Sequence, residues 1–156
     1  MNTGISEKNR AAVGGILNVI LADEYMLYTK TRKYHWNVTG PHFSEFHKFF
    51  ESQYEALDET IDEVAERARA LGEEAFGTLA EFSEHTCLEE KPGKNPDAEG
   101  MLEDLLEDHE TVINNLRRDL QACAEKYGDA GTGDFLTGLM EKHEKMAWML
   151  RSFLEK

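Results

Sequence analysis

Apolar residues recur every three or four positions through most of this 156-residue chain, and the rhythm fails where Pro and Gly collect. Val13, Ile16, Leu17, Ile20 and Leu21 mark one face of a first helix, with Ser6 as its expected N-cap and an end near Tyr34. Gly14 and Gly15 weaken that helix by about 1 kcal/mol each if exposed, and a close packing contact would account for them. Asn37 to Pro41 reads as a turn. A second helix follows from Pro41 or Phe43 to Leu71, with Phe46, Phe50, Tyr54, Leu57, Ile61, Val64 and Ala65 as its apolar stripe and Gly72 as its stop. Residues 73–100 hold Gly77, Pro92, Gly93, Pro96 and Gly100, so they form a long connection, with a short helix expected near Thr78 to Glu84. A third helix runs from Ala98 to about Lys126. Gly128, Gly131 and Gly133 are read as breaking it, and a fourth opens at Thr132 or Gly133. There is no strand-like alternation. Four long helices with one long crossover predict an all-α four-helix bundle, one domain over 1–156.

Charge and chemistry refine that outline. The formal net charge is −14, which disfavours phosphate binding by the surface as a whole and favours attraction of cations. No apolar run is read as long enough to span a membrane, and Met1 to Glu7 lacks the regions of a signal peptide, so a cytoplasmic protein without a membrane partner is expected. Cys87 and Cys123 stand far apart and outside any C-x-x-C motif, which fits free thiols.

Five residues have metal-ligand chemistry and informative spacing: His35, His47, Glu51, Asp62 and Glu66. His47 and Glu51 are four apart, as are Asp62 and Glu66, so each pair lies on one face of a helix. From His47 to Asp62 is fifteen residues, about 22 Å along a helix, too far for one ion to bridge. If both pairs serve one centre, the second must come from another copy, antiparallel about a two-fold axis near Ala56 and Leu57. A centre inside one bundle would use Glu-x-x-His motifs, and none occurs: Leu106, Met140 and Ser44 stand three before His109, His143 and His47. His109 and His143 fall on apolar faces and are expected as hydrogen-bonded core residues; His42 and His85 are expected in solvent.

The stretch H-W-N-V-T-G-P-H-F-S-E-F-H, followed by Asp62, Glu66, Arg67 and the Leu71-Gly72 stop, resembles the Dps family of mini-ferritins (DNA protection during starvation). Asp134-Phe135-Leu136 through His143-Glu144-Lys145 to Trp148-Met149-Leu150 is similar to that family's last helix. The resemblance spans nearly the whole chain. It implies a ferritin-like bundle assembled as a homo-dodecamer from two-fold dimers. It implies a ferroxidase centre between subunits, with His35, His47 and Glu51 from one and Asp62 and Glu66 from its mate. The family commonly has Asp where this chain has Glu51.

The expected cargo is iron, two ions per shared site. Imidazole and carboxylate donors also suit Zn2+ and other divalent metals, which could substitute. Hydrogen peroxide is the expected oxidant, Glu66 the bridging carboxylate, and Trp36, beside His35, the candidate electron donor. Asp129 and Asp134 flank the Gly-rich turn that, by resemblance, lines a three-fold pore admitting iron. Some relatives bind DNA through Lys-rich tails. Here Lys8 and Arg10 face Glu7, and Lys156 ends a short C-terminus, so DNA binding is expected to be weak, absent or metal-bridged. The alternative is a nucleoid-associated DNA-binding stress protein with little ferroxidase activity.

Overall fold

The computed structural model describes residues 1–155; Lys156, counted above with the C-terminal tail, lies outside them. The long helices are α1 (Glu7–Asn37), α2 (Phe43–Ala70), α4 (Ala98–Gln121) and α5 (Ala130–Leu154), and the short α3 (Leu79–His85) sits in the crossover. α1 packs most extensively on α2, and α4 on α5, while α2 and α5 scarcely touch. The bundle is thus two hairpins joined by the crossover, the ferritin-like arrangement expected. No strand occurs among the described residues.

The starts of the helices follow from their caps. Ser6 Oγ accepts from the Asn9 amide at 3.2 Å. Thr78 and Glu81 form a reciprocal capping box at α3, with Glu81 also accepting from the Gly77 amide. At the end of α2, Gly72 takes φ +87°, a conformation costly for a residue with a Cβ, and the Glu73 amide returns to the Ala68 carbonyl. Gly14 has the close contact the sequence called for: a Cβ there would stand 2.4 Å from Glu73 Cγ. Gly15 has none; a Cβ there meets open space.

The end of the third helix differs from expectation. The α-helical part stops at Gln121, and Ala122–Lys126 forms one π-helical turn, closed by the Tyr127 amide on the Ala122 carbonyl. α5 then begins at Ala130, so Gly131 and Gly133 lie inside it. Gly133 is a packing residue: a Cβ there would stand 3.0 Å from Ala124 Cβ and 3.2 Å from the Leu120 carbonyl. Asp129 is the cap, which leaves Asp134 beyond the first turn.

α1 also corrects the reading of apolar runs, since by length and composition it could span a bilayer. Yet 61% of its apolar stretch is buried in the bundle, and it is the helix against which α2, α3 and α4 all pack. Its buried and half-buried polar residues anchor the crossover. Asp23 accepts from the Cys87 amide and the Thr86 hydroxyl. Lys30 reaches the Glu89 carbonyl, and Lys33 those of Lys91 and Lys94. Lys30 also pairs with Asp104 at 3.3 Å and Asp108 at 2.5 Å. Burial lifts the Asp108 carboxyl to about 6 against the pull of Lys30. Burial works against the Asp104 charge too, but Lys91, Tyr34 and Lys30 outweigh it and hold that carboxyl below its usual range.

Candidate metal centre

The turn between α1 and α2 brings His35, in the last turn of α1, against His47, in the second turn of α2. Their rings stack with centroids 3.8 Å apart. His35 Nδ1 donates to the His47 carbonyl at 2.7 Å, and His47 Nδ1 donates to the His35 carbonyl at 2.8 Å. A carbonyl can only accept, so both Nδ1 atoms carry hydrogen. Each neutral ring therefore keeps its lone pair on Nε2, the arrangement in which a backbone carbonyl orients a metal-binding histidine. His35 lies near the C-terminus of α1, where carbonyls run out of helical amides, so His47 also satisfies a helix end.

Glu51 stands one turn beyond His47 and is half-buried. Asp62 and Glu66 are exposed, further along the same helix. The structure thus brings His35 to His47, places Glu51 one helical turn beyond His47 on α2, and leaves Asp62 and Glu66 further along that helix. Among the described residues no group of three or more His, Cys, Asp or Glu converges closely enough to hold an ion.

Trp36 is 64% exposed, with the Arg32 guanidinium 5.3 Å from its ring. Arg32 also lies over Tyr28 and Tyr54, and Tyr54 meets the His35 ring edge-on. Arg32, Tyr28 and Tyr54 were not singled out from the sequence. Their signal was present, since Arg32 and Tyr28 stand three and seven before His35, and Tyr54 seven after His47.

The two aspartates of the expected pore differ. Asp129 is 3% exposed and committed: it accepts from the Thr132 amide and hydroxyl and from Arg67. Asp134 is exposed on α5. Arg67 also donates to the Thr132 hydroxyl, which fastens the segment carrying Glu66 to the start of α5.

His109 and His143 are wholly buried, as expected. Their Nδ1 atoms share a hydrogen bond of 2.9 Å, and His143 Nε2 lies 2.6 Å from Glu24 Oε1. Glu24, also wholly buried, is the member of this trio that the sequence reading missed. Burial, and then His143, holds the His109 imidazole well below its usual 6.5, so it stays neutral.

A family profile described as a ferritin-like domain matches residues 15–156. DNA protection during starvation protein 2 of Bacillus anthracis is 37% identical over 141 residues, which is 90% of this chain and 95% of that protein. The chain belongs to the Dps family. A low temperature-induced protein of Nostoc is 47% identical and aligns with 99% of this chain over 87% of its own length. The Dps protein of Vibrio cholerae, described as a member of the ferritin-like diiron-carboxylate superfamily, superposes with a TM-score of 0.93 at 28% identity, covering 99% of this chain and 96% of its own.

Proposed function

We propose that this Dps-family chain is an iron-storage and detoxification mini-ferritin. Fe(II) is its substrate, bound between two copies by His35, His47 and Glu51 of one and Asp62 and Glu66 of the other. The single observation that carries the reading is the reciprocal His35–His47 lock, which leaves both Nε2 lone pairs free, with Glu51 one helical turn beyond His47. Two imidazoles and three carboxylates would hold two ions and leave coordination positions for an oxidant. With hydrogen peroxide, two Fe(II) each give one electron, the O–O bond breaks, and two protons are taken up to form two waters. Fe(III) then passes into a hollow shell, a dodecamer by analogy with the family.

Protection of DNA follows from removing iron and peroxide together and requires no contact with DNA. The charge of −14 per chain opposes direct phosphate binding. A gel shift that survives chelator would instead favour the DNA-binding reading; a shift abolished by chelator would mean a metal bridge.

Mixed assemblies test the shared centre. Subunits carrying His47→Ala are co-assembled with subunits carrying Asp62→Ala and Glu66→Ala, and Fe(II) oxidation by peroxide and by oxygen is followed. Each variant alone should be slow. Mixed shells should recover part of the rate, because some interfaces regain all five ligands. Absence of recovery in verified mixed shells would sink the inter-subunit site.

A further inference from the structure

Between α2 and α5, which scarcely touch, lies a groove of about 400 Å3. Met146 and Met149 of α5 and Ala56 of α2 give it an apolar lining. Gln53 lines it too, and that side chain is the anomaly. It is 2% exposed, yet its Oε1 has no hydrogen-bond partner. A buried carbonyl left unpaired costs stability, and most are paired. The hydroxyls of the lining cannot serve it, because both already donate elsewhere. Thr60 gives its hydrogen to the Ala56 carbonyl at 3.1 Å, and Ser52 to that of Phe49 at 2.7 Å. The groove thus holds an acceptor that the protein itself does not satisfy.

The charges at its lips narrow the ligand. Lys142 is met by Glu63 at 2.7 Å. Lys145 and Glu59 also line the groove, one of each sign, and both are exposed. Two ammoniums and two carboxylates leave no net charge to attract an ion, and the −14 of the whole chain repels anions. A neutral ligand is favoured. It must bring a hydrogen-bond donor to Gln53, and a hydroxyl serves either atom of that amide, since it both donates and accepts. A water would meet Gln53 but leave the methionines uncovered. Their thioethers make favourable contacts with an aromatic ring, often at its edge. The groove also lies clear of the candidate centre. Gln53 and Ala56 stand two and five residues after Glu51, so they project about 200° and about 140° round α2 from it.

We propose that the groove between α2 and α5 binds a small neutral phenol, with Gln53 accepting from its hydroxyl and Met146 and Met149 covering its ring. The inference stands apart from the reading of the metal centre, because no metal ligand lines the groove.

The test uses the full-length assembled protein without iron, titrated calorimetrically with 4-propylphenol. One molecule per chain is expected. Binding should be about tenfold tighter than for 4-propylanisole, the methyl ether with the same ring and chain but no donor, as one hydrogen bond to a buried group implies. The anion 4-propylbenzoate should bind more weakly than the phenol. In Gln53→Leu the preference should vanish: the phenol weakens about tenfold and the ether does not. Gln53→Met, apolar and of similar length, gives a second version of that comparison. Ala56→Phe fills the groove and should remove both ligands, and thermal unfolding checks that each variant remains folded. The proposal is overturned by no binding to the wild type, or by equal affinity for phenol and ether. A preference that survives in the folded Gln53 variants, equal weakening of both ligands there, or binding that survives Ala56→Phe overturns it as well.

Discussion

His35 with His47, and His109 with His143, are both pairs of touching histidines from neighbouring helices, each with a carboxylate close by. Their wiring differs. In the first pair each Nδ1–H is tied to the other's backbone carbonyl, and both Nε2 atoms are left over. In the second the two Nδ1 atoms share one hydrogen bond, and His143 Nε2 is taken by Glu24. A carbonyl cannot give up or receive a proton at neutral pH, so the first pair has one tautomer. An imidazole and a carboxylate can do both, so the buried trio can redistribute its protons along the line. It also faces no solvent. Residue types alone do not make a metal site; it matters which nitrogen the fold leaves free.

The largest expected effect tests the buried trio. His143→Ala leaves Glu24 wholly buried without its partner and His109 without its hydrogen bond. Each wholly buried polar group left without its partner costs about 1–3 kcal/mol, measurable by denaturant unfolding. Iron binding by the folded variant should be unchanged. Lost iron binding at unaltered stability would reverse the roles assigned to the two pairs. The trio also predicts acid sensitivity. His109 is held neutral in the fold but accepts a proton when unfolded, so stability falls as pH drops below its ordinary 6.5.

The opposite result is expected at the open pair. His47→Ala removes a proposed ligand and also the donor that orients His35, and should reduce Fe(II) oxidation by about 100-fold or more, judged from the 10–100-fold cost of losing an outer-shell partner alone. Stability should change little by comparison, because His47 is only half-buried. Anaerobic Fe(II) titration beside thermal unfolding separates the two outcomes. A variant that unfolds but still oxidises iron as fast would show that His47 is a packing residue.

These pairs also mark how far the sequence could be read. Apolar spacing located the four long helices because each buries one stripe, and the Ser6 cap fixed the start of the first. The break between α4 and α5 was misjudged because glycine has two uses. Gly131 and Gly133 read as breakers, yet Gly133 permits the close approach of α5 to the end of α4. Spacing alone separated Asp62 and Glu66 from His47, since distance along a helix follows from residue count, so the two pairs could serve one centre only with a second copy. The carbonyl exchange between His35 and His47 was not legible, because it depends on the angle at which α2 returns along α1. Glu24 escaped notice because a carboxylate on α1 finds its histidine on α5, 119 residues away.

A smaller effect is expected at the clasp under the crossover, where a buried carboxylate is tied to an ammonium instead of an imidazole. The Asp108 carboxyl titrates near 6 in the fold against 3.8 ordinarily. Between those values the folded chain keeps a proton that the unfolded chain has lost. Stability contributed by this group therefore falls as pH rises through that window and is level above it. Asp108→Asn removes the slope. Comparing the two proteins by denaturant unfolding from pH 4 to 6.5, the wild type should lose about 1–2 kcal/mol relative to the variant, allowing for solvent that still reaches the pair. A parallel pH dependence would mean that Lys30 already holds Asp108 ionised. Iron oxidation should be indifferent to this change, which again separates burial from metal chemistry.

The finest distinction concerns Glu51, the carboxylate of the open pair. Glu24 is fixed by its histidine in the core, whereas Glu51 is half-buried and has a side chain one methylene longer than the Asp common in the family. If Glu51 binds iron directly, its flexible stem can absorb that length, and Glu51→Asp should alter Fe(II) affinity only a few-fold, about 1 kcal/mol or less, the low end of what one polar contact contributes. Glu51→Ala should then be much the more damaging, because no longer or shorter arm replaces the charge. Measuring both affinities against His47→Ala places the carboxylate relative to the imidazoles. Should Glu51→Asp lose as much as His47→Ala, the extra methylene is part of the geometry, and the spacing of the two ions in this chain differs from that set by an aspartate.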